Sequence, residues 1–171
     1  MILRTEKGYL HIGADTDGLT TPADVGWGTI AGKKSADFIG KRSLSRPHNT
    51  APERLQFVGL APVDQERKIT AGAHVVNAKE SHAPAPSQGY VTSSCYSPSL
   101  KGWIGLGLVK NGRARMGQTV NLFHNGKTQT ATIVEPAFYD PKGSACMPEW
   151  TRTSALRDTN DQLLTFSNDA I

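Results

Sequence analysis

The dipeptide Asn125-Gly126 sits between two runs of β-forming residues, Thr119-Val120-Asn121-Leu122-Phe123 and Thr128 to Val134. Asn-Gly supplies the positive-φ positions of a tight turn, so the segment predicts a β-hairpin. Similar runs precede it. Arg54 to Ala61, Ile69 to Val76 and Gly89 to Tyr96 read as strands punctuated by turn residues. Trp103 to Val109 is a short continuous apolar run, the pattern of a strand covered on both faces. Six strands at regular spacing predict a small antiparallel barrel or sandwich.

The first fifty residues follow a different pattern. Gly8 to Gly13 and Val25 to Ile30 read as short glycine-bounded strands, and Gly26 and Gly28 suggest close backbone approach or a bulge. Ser35 to Leu44 is the best helix candidate, with Ser35 as N-cap, Asp37 in the first turn and Pro47 as the stop. Ser45 to Pro52 reads as a linker. The fold class is therefore α+β, mainly β. The expected organisation is a mixed segment at 1–50, a six-stranded antiparallel β-barrel or sandwich at 51–140, and an unassigned tail at 141–171.

Composition narrows the class. The 171 residues include 17 Gly and 10 Pro, which suits a turn-rich β protein. No apolar run reaches the roughly 18 residues of a membrane span, and the N-terminus lacks the apolar core of a signal peptide. Two cysteines, Cys95 and Cys146, make no disulfide scaffold and read as free thiols in a reducing, cytoplasmic setting. The net charge of +4 comes from scattered Lys and Arg. Binding single strands of nucleic acid would need aromatics interleaved with basic residues on one sheet face. Tyr90, Tyr96 and Trp103 are the candidates, and core placement is expected for each, so no nucleic-acid partner is assigned.

No dinucleotide fingerprint, P-loop, HExxH or GxSxG is present. The five histidines are dispersed. Asp15 and Asp17 lie before Gly18 without the later ligands of a calcium loop, so no metal is assigned. Arg4 and Glu6 are two apart and, in an extended chain, would share one face. Such a pair forms a salt bridge, or the carboxylate accepts paired N–H groups from a heterocycle such as a pterin.

A series of short motifs runs in order through the chain: Leu3-Arg4-Thr5-Glu6-Lys7-Gly8-Tyr9, Gly13-Ala14-Asp15-Thr16-Asp17, Thr21-Pro22-Ala23-Asp24, Gly26-Trp27-Gly28 and Asp37-Phe38-Ile39-Gly40-Lys41-Arg42-Ser43-Leu44. The series resembles the end of the folate-binding domain of the aminomethyltransferase family, which includes the glycine-cleavage T-protein. The lysine pair Lys33-Lys34, Thr92-Ser93-Ser94 with Ser97-Pro98, Gly112 to Gly117, and Phe138-Tyr139-Asp140-Pro141 are similar to the C-terminal region of heterotetrameric sarcosine oxidase alpha subunits. The resemblance covers about residues 3 to 143.

By that resemblance, Arg4, Glu6, Tyr9 and Trp27 are expected at a tetrahydrofolate site, with Glu6 toward the pterin. The implied chemistry is capture of a one-carbon unit from an oxidised N-methyl amine. The family's catalytic Asp and its FAD and NAD modules lie upstream of the Arg-x-Glu motif and have no counterpart here. The chain is therefore expected to be a C-terminal fragment that is not catalytic alone, with another copy or other oxidase subunits as partners. The alternative is a non-enzymatic module that docks or dimerises through the face a missing half-domain would cover.

Overall fold

The computed structural model describes residues 1–77 and 85–143. Six strands close into an antiparallel barrel: β1 (Leu55–Pro62), β2 (His74–Asn77), β3 (Gly89–Ser97), β4 (Gly102–Lys110), β5 (Thr119–His124) and β6 (Lys127–Val134). Their order around the barrel is β1-β4-β3-β2-β5-β6, and β6 returns to pair with β1. All six strands expected of the barrel are present. β2 starts later than predicted, after Gly72 turns at φ 84°. The β5–β6 hairpin pairs His124 with Lys127 across Asn125-Gly126, whose φ values are 46° and 74°. These are the positive values that a two-residue hairpin turn demands.

Alternation separates two apolar groups. Val58, Leu60, Val75, Val91, Val109, Val120, Leu122 and Ile133 point inward and fill the barrel with Ile69. Phe57, Leu106 and Leu108 face outward and pack under Leu10, Val25, Leu55, Tyr90 and Phe138. β4 is thus covered on both faces, as its unbroken apolar run predicted. Its inward positions include Gly105 and Gly107. A Cβ on Gly107 would stand 2.9 Å from Leu60 Cδ1, so the missing side chain makes room for Leu60.

The N-terminal segment departs from the expected strands. Residues Ile2–Lys7 form helix α1, not an extended chain. Gly8 ends it at φ 67°; the Gly8 and Tyr9 N–H groups return to the Thr5 and Arg4 carbonyls at 3.2 and 3.0 Å. This is the Schellman closure that glycine permits. The expected strand at Gly8 to Gly13 is absent because the chain turns at His11. The Asp15 carboxylate holds that turn by accepting the His11 N–H at 2.7 Å.

The expected strand at Val25 to Ile30 is also absent. Gly26 turns at φ 88°, and Gly28–Gly32 forms helix α2. The close approach predicted there is real: a Cβ on Gly28 would lie 3.2 Å from Ala23. The long helix expected over Ser35 to Leu44 shrinks to α3 (Lys41–Leu44), preceded by Gly40 at φ 93°. The Lys41 ammonium gathers the carbonyls of Lys34, Ser35 and Ala36 at 3.1, 3.2 and 3.1 Å, and so closes a loop where a helix was predicted. Pro47 opens a further short helix, α4 (Pro47–Thr50), rather than ending one.

Residues Met1–Tyr139 form one compact unit. Asp140 to Gly143 is a turn. The predicted loop at 77–87 falls partly, and Cys146 and most of the 141–171 tail fall entirely, outside the described residues. Among the described residues no helix is long and apolar enough to cross a membrane.

Candidate functional site

Two of the expected site residues, Arg4 and Glu6, meet the barrel at the seam between α1 and the outer face of β3. Successive residues of α1 engage alternate residues of that strand. Arg4 Nη2 donates to Ser93 Oγ at 2.5 Å, Thr5 lies beside the Cys95 thiol, and Ser97 Oγ donates to Glu6 Oε1 at 2.5 Å. Arg4 and Glu6 therefore reach the same strand from a helix, not from the extended pair that their spacing suggested.

A β-bulge explains part of this register. The β3–β4 pairing slips between Val91 and Ser93, which leaves Thr92 as the extra residue. Neighbouring residues in a regular strand point to opposite faces. Here both Thr92 and Ser93 serve one cluster: Ser93 meets Arg4, and the Thr92 hydroxyl donates to Asp15 Oδ1.

Asp15 is wholly buried, with Arg4 Nη1 2.6 Å from its Oδ2. Arg4 Nη1 also donates to the Tyr9 carbonyl at 2.8 Å, while the buried Arg4 Nε has no partner among the described residues. Glu6 retains 2% of its surface. The Glu6 carbonyl accepts the N–H groups of Phe138 and Tyr139, both at 2.9 Å, which pins α1 to the segment after β6. Burial pushes the Cys95 thiol above its usual range and Glu6 adds to the shift, against the opposing effect of Thr5.

A second ion pair lies nearby in sequence. Arg54 Nη2 is 2.5 Å from Asp24 Oδ2 and Arg54 Nε is 2.8 Å from Asp24 Oδ1. Burial pushes the Asp24 carboxyl up, but the Arg54 and Thr21 hydrogen bonds and the Arg54 charge outweigh it and hold the group below the usual carboxylate range. A cleft of about 360 Å³ beside this pair is lined by Asp17, His48 and Glu53 among others.

The four expected residues thus divide. Arg4 and Glu6 spend their polar atoms mainly on Ser93, Asp15 and Ser97. Tyr9 and Trp27 are 65% and 54% exposed. The structure brings Arg4, Glu6 and the Tyr9 backbone together, and it leaves the Trp27 ring on the surface. Sequence reasoning gave Asp15, Thr92, Ser93 and Ser97 no site role. Asp15 lay in a loop that fails the calcium pattern, Thr92 and Ser93 read as strand residues, and all four otherwise appeared only within resemblance motifs. The bulge that unites them has no sequence signature. Tyr96, expected in the core, is exposed, with its ring edge-on to Trp103 at 6.0 Å. Among the described residues no group of three His, Cys, Asp or Glu could hold a metal.

Comparison with known proteins places this arrangement. Residues 56–140 match the glycine cleavage T-protein C-terminal barrel domain. The chain is 40% identical over 145 residues to the sarcosine oxidase subunit alpha of Corynebacterium sp. (strain P-1), covering 84% of this chain and 15% of that protein. It is 36% identical over 142 residues to a probable aminomethyltransferase of Halobacterium salinarum, covering 81% of this chain and 36% of that one. The crystal structure of glycine cleavage system aminomethyltransferase T from Bartonella henselae superposes with a TM-score of 0.67 at 28% identity, over 81% of this chain and 37% of that one.

Proposed function

Since this chain carries the glycine cleavage T-protein C-terminal barrel domain and belongs to the family of sarcosine oxidase alpha subunits and aminomethyltransferases, we propose that it forms one wall of a tetrahydrofolate site. That site serves one-carbon transfer from an oxidised N-methyl amine. The observation that carries this reading is the anchoring of Tyr9. Arg4, fixed by Asp15 and Ser93, holds the Tyr9 carbonyl while the ring stands exposed.

The residues fit a pterin in a specific way. The exposed Tyr9 and Trp27 rings offer faces for stacking. Arg4 Nε is a buried donor without a partner among the described residues. Glu6 turns its carboxylate to Ser97 and contributes by holding α1 in place and by its negative charge. Tetrahydrofolate, when bound, supplies the amine that accepts the one-carbon unit. The chain's own part is orientation and charge stabilisation, not a covalent nucleophile. The reading further places the protein in a reducing, cytoplasmic compartment.

Isothermal titration with tetrahydrofolate tests this. Micromolar binding that falls in Tyr9→Ala and in Glu6→Ala supports the wall. A folded chain that does not bind, or that binds equally well in both variants, overturns it.

One further observation favours a second reading. Leu3, Tyr9, Ile12, Leu19, Trp27, Ile30 and Ile39 are all exposed and lie within the first 39 residues. Exposed apolar surface on that scale marks an interface, and the chain spans only 15% of the sarcosine oxidase subunit. In this reading the N-terminal segment docks onto another copy or onto further oxidase subunits. Sedimentation that shows dimers dissociating in Leu3→Glu, with no folate binding, would favour it over the first.

A further inference from the structure

Residues 63–73 connect β1 to β2 and fold over one end of the barrel beside the β5–β6 hairpin. The loop is fastened there. Val63 N–H donates to Thr130 O at 3.0 Å, Trp103 N–H to Gln65 O at 2.8 Å, and Gln129 Nε2 to Arg67 O at 2.9 Å. The Lys68 ammonium lies 5.7 Å from the centre of the Trp103 ring. None of these bonds uses the Arg67 guanidinium or the Lys127 ammonium.

A cavity of about 390 Å³ lies between the loop and the hairpin. Its floor is Ala73 and Leu122, both members of the barrel core. Its rim carries Arg67, Lys68, Lys127 and His124, with hydroxyls from Thr70 and Thr128. Among the described residues no carboxylate lines it. Asp64 and Glu66 belong to the same loop but are not among the lining residues; Asp64 Oδ1 accepts the Glu66 N–H at 3.2 Å. Among the described residues, neither Arg67 nor Lys127 has a side-chain ion pair or hydrogen bond.

We propose that this barrel mouth binds a small di- or trianion, a phosphate ester or an oligocarboxylate. Three cationic side chains around one concave space repel each other, and an anion seated between them relieves that repulsion. Arg67 presents a planar fork suited to two oxygens, and Lys127 acts as a point charge. The hydroxyls complete the donor set. The floor accepts the hydrocarbon part of such a ligand. The site is independent of the folate reading, since it lies at the end of the barrel and uses none of α1.

The test is a ¹H–¹⁵N NMR titration of the whole chain at low salt with pyrophosphate and, separately, with tricarballylate. Saturable shifts confined to residues 65–70 and 124–129 are expected. Affinity should fall about tenfold in Arg67→Gln/Lys127→Gln, the loss of two charge-assisted contacts, and should hold in Lys33→Gln. A response to pyrophosphate alone identifies a phosphate site, and a response to tricarballylate alone a carboxylate site. Shifts spread over every surface lysine, or an unchanged affinity in a double variant that keeps its folded spectrum, would overturn the proposal.

Discussion

Arg4 Nη1 stands 2.6 Å from Asp15 Oδ2, and the other oxygen of the same carboxylate takes the hydroxyl of Thr92, the bulged residue of β3. One buried ion pair thereby joins helix, loop and barrel. Removing Asp15 strands a largely buried guanidinium. Asp15→Ala should lower stability by about 3–5 kcal/mol, the usual cost of breaking a buried pair from one side. Thr92→Val, which removes one bond to the same carboxylate, should cost about 1–2 kcal/mol. Urea unfolding of both variants checks the order.

Glu6 has its own dependency. Ser97, fully buried, donates to Glu6 Oε1 and accepts the Leu100 N–H at 3.1 Å. Ser97→Ala leaves both groups short of a partner and should cost about 1–3 kcal/mol. Under the folate reading, the same variant should weaken folate binding while Glu6 itself is intact. Titration calorimetry beside a melting curve separates the two effects.

Acid should act on the Asp24–Arg54 pair. The folded Asp24 carboxyl titrates below its usual range. Its contribution is complete above the unfolded value of about 3.9 and is lost as pH falls through the lower, folded value. Arg54→Gln removes most of that dependence. Its stability should therefore fall less steeply than the parent's as the solution is acidified below about pH 4, measured as urea midpoint against pH.

Gly8 packs closely against the chain after β6. Its φ is 67°, and an added Cβ would lie 2.5 Å from the Pro136 carbonyl oxygen. Gly8→Ala combines backbone strain with overlap against main chain, which cannot swing aside. A loss of about 2–4 kcal/mol is expected. Gly126→Ala, with open space around its Cβ position, should cost only the left-handed penalty of about 1–2 kcal/mol.

Cys95 should be slow to react. Its thiol is buried between Thr5 and β3, and burial raises its pKa, so little thiolate forms at neutral pH. In a Cys146→Ser background, Ellman's reagent should label Cys95 only as fast as the chain opens, and at once in urea.

The barrel was legible because strand period, Asn-Gly turn chemistry and the unbroken run of β4 are local properties. Each survives inspection of a few residues at a time. The family was legible for a related reason, since an ordered series of short motifs needs no contacts to be seen. The N-terminal segment was not. Gly8 read as the edge of a short strand, Gly26 as a bulge within another and Gly40 as part of a helix, whereas each adopts a positive φ that turns the chain. Lys41 then holds as a loop what local propensity would make helix.

Local patterns sufficed for the six barrel strands, the Asn125-Gly126 hairpin and the interest of Arg4 and Glu6. How those two act follows from packing. Helix α1 lies along β3, a bulge brings Thr92 and Ser93 to one side, and Asp15 arrives from a turn eleven residues beyond Arg4. Burial makes each of these polar groups require a partner, and only the folded arrangement fixes which partner that is.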